Sequence, residues 1–181
     1  MPSVRAVSDA LREAADVGSG VVIMVSTDGS CLRNPGGAIG WAWVNHEGPS
    51  GSGGEVSGTN QIAELRAVLE AITAHPGADE LLIESDSQYA IKCASEWIHG
   101  WRRKGWKTAS GSPVKNLALI QSIDVAITVR PGRVRFQWVR GHVGNHFNEL
   151  ADTLAGAAAA SMSAGITVET LAMSVEEPTL F

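Results

Sequence analysis

Several features are scarce in this chain, and each scarcity excludes something. Its 181 residues hold only two cysteines, Cys31 and Cys93. Neither their number nor their spacing suits a disulfide framework or a zinc site, so both are expected as free thiols with packing roles. The longest unbroken aliphatic run, residues 21–25, falls far short of the roughly 20 residues that span a bilayer, which removes a transmembrane helix. Residues 1–20 carry Asp9, Glu13 and Asp16 and no apolar stretch of signal-peptide length, so a cytoplasmic location with no membrane partner is expected. Neither a phosphate-binding loop ending in GK[ST] nor a dinucleotide fingerprint occurs, so nucleotide-fuelled and hydride chemistry lack support. No internal repeat is evident. Positive charge is not in surplus either: the formal net charge is −5, which taken alone argues against a nucleic-acid partner.

The distribution of charge reverses that last inference. Between Trp97 and Asn148 lie Arg102, Arg103, Lys104, Lys107, Lys115, Arg130, Arg133, Arg135 and Arg140, against the single anion Asp124. That stretch carries +8 and the remainder −13, the pattern of a basic face for a polyanion beside an acidic region able to collect cations. With 44% hydrophobic and 18% charged residues, the composition is that of one ordinary globular domain. Residues 1–19 read as an N-terminal extension with a short helix up to Gly18, residues 20–160 as the domain, and residues 161–181 as a tail without clear period.

Within the domain, residues 21–26 form an all-apolar strand of the kind buried on both faces. Residues 38–44 alternate Trp41 and Trp43 with smaller residues as a second strand. The glycines from Gly48 to Gly54 read as a turn before a weak third strand near Val56. A helix over 61–74 starts at Thr59 or Asn60 and stops at His75-Pro76-Gly77. Then come a strand at 81–84, short helical segments at 88–92 and 95–101, a basic loop to 112, a helix over 113–127, a strand at 134–139, a glycine-rich loop at 141–146 and an alanine-rich helix over 148–160. A meander followed by alternating strands and helices predicts an α/β fold with a mixed five-stranded sheet flanked by helices.

Two acids, Asp28 and Asp86, each follow a strand, where open α/β sheets build their sites. Glu64 lies on the helical face shared with Val68 and Ala71, and no Lys or Arg shares that face. A buried carboxylate there calls for a compensating charge, and a metal ion is the natural one. Asp152 is flanked by Ala151, Ala155 and Ala159, small enough to let its helix approach the sheet closely. Taken singly, each acid has an ordinary reading: a turn residue, an N-cap, a solvated helix position. Together the four make an oxygen-rich set suited to Mg²⁺ or Mn²⁺. Paired ions roughly 3.5–4 Å apart activate water and stabilise the leaving oxygen in phosphodiester cleavage.

Six segments now stand in one order: TDGSCLRNPGG (27–37), TNQIAEL (59–65), SDSQY (85–89), WIHGWRRKGWKT (97–108), PVKN (113–116) and WVRGHVGNHFNELAD (138–152). Over about residues 20–158 the chain resembles bacterial type I ribonuclease H. The resemblance implies the ribonuclease H-like fold and an endonuclease that cuts the RNA strand of RNA/DNA hybrids, leaving 5′-phosphate ends. It implies Asp28, Glu64, Asp86 and Asp152 as metal-binding catalytic acids holding two ions when substrate is bound, and His142 as an auxiliary for proton transfer or product departure. Asn34, Thr59, Asn60, Gln61 and Gln88 are short polar groups suited to phosphates and ribose 2′-hydroxyls, with Thr59 and Asn60 assigned by the resemblance to a phosphate pocket. The stretch of Trp97, Arg102, Arg103, Lys104 and Lys107 resembles the family's basic protrusion, and its cations, with no nearby acid, are expected to give salt-sensitive affinity.

Two competing readings have discriminating features. A phosphatase with an aspartyl nucleophile needs a second Asp two residues after the first, and Ser30 occupies that position. A catalytically inactive hybrid-binding module would have no use for all four acids and His142. The glycine-rich stretch at 48–58 departs from the resemblance and predicts a short or irregular third strand. A monomer is expected. The tail's Glu176-Glu177-Pro178-Thr179-Leu180-Phe181 reads either as a frayed end or as a docking peptide for a replication or repair partner.

Overall fold

A computed structural model describes residues 20–165. The expected helix before Gly18 and the expected docking peptide at 176–181 lie outside the described residues. Five strands, β1 (Val22–Cys31), β2 (Ile39–Asn45), β3 (Ser50–Glu55), β4 (Glu80–Ser85) and β5 (Val134–Trp138), form one sheet in the order β3-β2-β1-β4-β5. The β3-β2-β1 half is antiparallel, whereas β4 pairs parallel to β1 and β5 parallel to β4. Helices α1 (Asn60–Ala74), α2 (Gln88–Lys92), α3 (Ile98–Arg103), α4 (Leu117–Val129) and α5 (His146–Ser163) complete the mixed α/β fold. Among the described residues, no helix is long and apolar enough to cross a membrane.

The two faces of the sheet are built differently. On one, α1 presents Leu65, Val68, Ala71 and Ile72 to Val25, Leu81 and Ile83, and α4 adds Ile120 and Ile123. Burial of each Leu, Ile or Val there stabilises by about 1.5–3 kcal/mol, so this face holds the main core. On the other face α5 approaches through Ala151, Ala155 and Ala159. A methyl group placed on Gly40 would press into the α5 backbone at Ala155 and Ala159, and one on Gly29 into the α1 backbone at Ala63 and Glu64. Both helices therefore sit closer to the sheet than any side chain at those positions permits.

Several boundaries differ from those the sequence predicts. β1 does not end at residue 26. Its parallel ladder with β4 stops at Thr27↔Ser85, but its antiparallel ladder with β2 continues to Cys31↔Ile39. Asp28 thus lies inside a strand, at the point where one of two partners falls away. The glycine-rich stretch is a regular strand, β3, and the expected strand near Val56 is not there, since Val56 lies beyond its end and is 75% exposed. Trp43 and Trp41 explain the glycines: a Cβ on Gly51 or Gly53 would come within 2.6 or 2.8 Å of their indoles. Residues 88–103 run as consecutive helical segments, with a π-helical turn (Cys93–Trp97) between α2 and α3. α4 starts only at Leu117, because Asn116 before it takes a left-handed conformation and Lys107 bridges Pro113. α5 starts at His146, two residues earlier than predicted, with Asn145 capping it through a bond from the Asn148 amide.

Candidate active site

Period-2 alternation on β1 puts Ser26 and Asp28 on the face covered by α5, opposite Val44 and Ala42 of β2. Asp86 follows β4 directly, Glu64 lies in the second turn of α1, and Asp152 in the second turn of α5. Close docking of the two helices over Gly29 and Gly40 brings these elements together.

Each of the four acids bears electrostatically on at least one of the others. Burial, then the negative charge of Asp86, pushes the Asp28 carboxyl from the ordinary 3.8 up to about 8. Asp152 adds to this by charge and by a hydrogen bond, while the Gly29 amide, donating to Asp28 Oδ1 at 2.8 Å, opposes it. Asp86 is also raised, first by burial and further by Asp152; its own backbone N–H and then the charge of His142 pull it down. Burial raises Glu64, with Asp86 adding to the rise and a hydrogen bond from Ser87 opposing it. Glu64 is held at both oxygens: Asn60 Nδ2 donates to Oε1 at 2.8 Å and Ser87 Oγ to Oε2 at 2.6 Å. Among the described residues, none of the four acids forms an ion pair with a Lys or Arg.

Crowded carboxylates without a cationic partner repel one another and hold protons until a cation takes their place. Among the described residues, no three His, Cys, Asp or Glu side chains already close around one point as a finished metal cage. Such a cage is not what Mg²⁺ requires, because it binds one or two carboxylates and completes its shell with water and substrate phosphate. The donor set, all oxygen and uncompensated, fits a hard divalent ion.

Around the acids, His142 sits in the glycine-rich loop with φ 56° and reaches Asp86 through its charge. Gly141 lies so close to Asp86 Oδ2 that a Cβ would collide with it. Asn34 Oδ1 accepts from the Asn60 amide at 3.3 Å, which joins the loop after β1 to the start of α1. Thr59 is the α1 N-cap, its Oγ1 accepting from the Ile62 amide at 3.2 Å. Gln61 Oε1 is buried and without a hydrogen-bond partner, and Gln88 is exposed at the start of α2.

The basic segment lies at the far end of the 88–103 helical stretch. At 1.5 Å per residue, that stretch carries Arg103 up to about 22 Å from Gln88. Trp97, 40% exposed, stands between Tyr89 and Trp101, with ring centroids 6.3 and 5.6 Å away. Arg103 and Lys104 are exposed, and Lys107 follows them after the turn at Gly105. The expectation that no acid lies near these cations fails for Arg102: its guanidinium is paired with Asp124 of α4, Nε donating to Oδ2 at 3.0 Å. Sequence reasoning also passed over Ser87 and Asn148. Ser87 stands next to Asp86, but its bond to Glu64 spans 23 residues and has no local signal. Asn148 is buried in the first turn of α5, four residues before Asp152, with Nδ2 unpaired.

The family described as RNase H matches residues 21–160. The chain is 43% identical over 150 residues to the ribonuclease H of Anaeromyxobacter sp. (strain K), covering 74% of this chain and 77% of that protein. It is 43% identical over 136 residues to the ribonuclease H of Acidovorax sp. (strain JS42), covering 74% and 91%. Among solved structures, LC9-RNase H1, a type 1 RNase H with the type 2 active-site motif, superposes with a TM-score of 0.65 at 28% identity over 87% of each chain. The chain belongs to the ribonuclease H family of nucleases.

Proposed function

We propose that residues 20–160 form a domain that hydrolyses the RNA strand of an RNA/DNA hybrid internally, leaving 5′-phosphate ends. Asp28, Glu64, Asp86 and Asp152 hold two Mg²⁺ or Mn²⁺ ions once substrate is bound. The observation that carries this reading is a group of half-buried acids with no Lys or Arg partner among the described residues, in which burial and then the charge of Asp86 push Asp28 up to about 8. Bound there, divalent ions supply Lewis-acid stabilisation of phosphate charge and lower the pKa of attacking water.

The chain's own groups do the rest. Asn60 and Ser87 orient Glu64, and the Gly29 amide orients Asp28. His142 moves a proton at an imidazole nitrogen beside Asp86 and assists product departure. Asn34, Thr59, Asn60, Gln61 and Gln88 meet phosphates and the 2′-hydroxyls that separate RNA from DNA. Trp97, Arg102, Arg103, Lys104 and Lys107 take the backbone further along the duplex, Arg102 less than the others because Asp124 already neutralises it. The protein acts as a cytoplasmic monomer.

Single-turnover cleavage of an end-labelled hybrid in Mg²⁺ is the direct test. Asp28→Asn or Asp86→Asn is expected to lower the rate by about 10³-fold, the scale for a group that stabilises transition-state charge, while hybrid binding persists. RNA left intact by micromolar parent enzyme would end the nuclease reading, and near-normal turnover in either variant would end the metal assignment.

A further inference from the structure

Behind the acids, on the same face of the sheet, lies a set of side chains that their chemistry does not use. Ser26 is fully buried on β1 two residues before Asp28, and Glu84 is 6% exposed on β4 two residues before Asp86. Ser26 Oγ lies 2.9 Å from His46 Nε2 and 3.4 Å from Glu84 Oε2. From β5, Gln137 Nε2 reaches Glu84 Oε1 at 3.5 Å. One proton arrangement satisfies this chain: the imidazole N–H donates to Ser26 Oγ, and the hydroxyl donates to the Glu84 carboxylate. Burial lowers His46 below its ordinary 6.5 against the opposing charges of Glu84 and Glu47, so the ring is neutral near pH 7.

The imidazole fixed in this way is a platform. Phe147, the second residue of α5, lies flat on it with centroids 3.9 Å apart and planes 12° from parallel. Elsewhere the buried residues of α5 are Asn148, whose Nδ2 has no hydrogen-bond partner, and Ala151, Ala155 and Ala159. Methyl groups allow close approach, but they form shallow ridges that define position along the helix axis poorly. Asp152 follows Phe147 by five residues, about 7.5 Å along the axis.

We propose that His46 and Phe147 are a positioning pair for the reaction: Glu84 and Ser26 fix the imidazole, the imidazole fixes Phe147, and Phe147 sets where α5 presents Asp152 to Asp28. The inference rests on the four-acid reading above. A displacement of about 1 Å at reacting groups is enough to cost of order 10²-fold in rate, so removing the ring stack should show in turnover.

The test uses the full chain with an RNA/DNA hybrid, measuring kcat, KM for the hybrid, the half-saturating Mg²⁺ concentration and thermal unfolding. Phe147→Leu keeps an apolar side chain and removes the ring, Phe147→Tyr keeps the ring, and His46→Gln removes the platform. Phe147→Leu and His46→Gln are each expected to lower kcat about tenfold and raise the Mg²⁺ requirement, with KM little changed. The double variant should be no worse than either single, because the same ring stack is broken in all three. Phe147→Tyr should match the parent. Parental kcat and Mg²⁺ requirement in folded Phe147→Leu overturn the positioning role, as does equal impairment of the Leu and Tyr variants. Asp152→Asn in the same assay separates the two readings. Its inactivity beside an unaffected Phe147→Leu removes only the positioning pair, whereas parental activity in Asp152→Asn removes the four-acid site itself.

Discussion

Asp28 shows most directly how burial and charge act on one side chain. Its carboxyl is raised from 3.8 to about 8, so the folded protein binds a proton there more tightly than the unfolded chain does. The contribution to stability is then fully present below about pH 4 and is lost as pH rises toward 8. Asp28→Asn, which cannot ionise, is expected to raise the melting temperature of the metal-free protein at pH 8 and to leave it nearly unchanged at pH 4. A melting temperature lowered at pH 8 would show that the carboxylate is already compensated. The candidate acids were legible in the sequence because two came just after short apolar runs and two lay on helices with apolar faces. Their company was less so. Ser87 on Glu64 and Asp124 on Arg102 are pairings across 23 and 22 residues, set by how helices dock rather than by any local spacing.

At the scale of elements, the glycines carry the information that local propensity hides. Gly40 and Gly29 read as ordinary strand and turn residues, yet each marks the spot where a helix backbone meets the sheet. Gly40→Ala is expected to destabilise by about 1–3 kcal/mol or more, because the new methyl meets backbone atoms of Ala155 and Ala159 that have no rotamer to yield. Equilibrium denaturation measures it, and an unchanged midpoint would mean that α5 leaves room for a methyl group over β2. The strands bordered by apolar runs, and the helices with clear caps such as Thr59, were readable in the sequence. β3 was not, because its three glycines resemble a turn until Trp41 and Trp43 are laid over them. The extension of β1 past Ser26 was hidden likewise, since only pairing with β2 sustains its far end.

Across the whole molecule, the separation between the acids and the exposed cations divides chemistry from grip. Replacing Arg103 and Lys104 with Ala is expected to raise KM and to reduce the slope of log affinity against log salt by about 0.9 for each phosphate no longer neutralised, with kcat at saturation little changed. Arg102→Ala should move that slope much less, because Asp124 already neutralises its charge. Equal slopes for all three replacements would assign Arg102 to the phosphate backbone after all. The overall acidity of the chain, −5, conceals this division; the charge map by segment reveals it, though not which cations are already spoken for.

The outer strand of the sheet is held by a short circuit of unlike contacts. The backbone of β3 lies under Trp41, the guanidinium of Arg66 rests over that indole at 5.3 Å, and Arg66 returns to Glu55 at the end of β3 at 2.9 Å. Peeling the strand away therefore wets two indoles and opens an ion pair in one event, so this edge carries a built-in optical reporter whose emission reddens when the border of the sheet lifts.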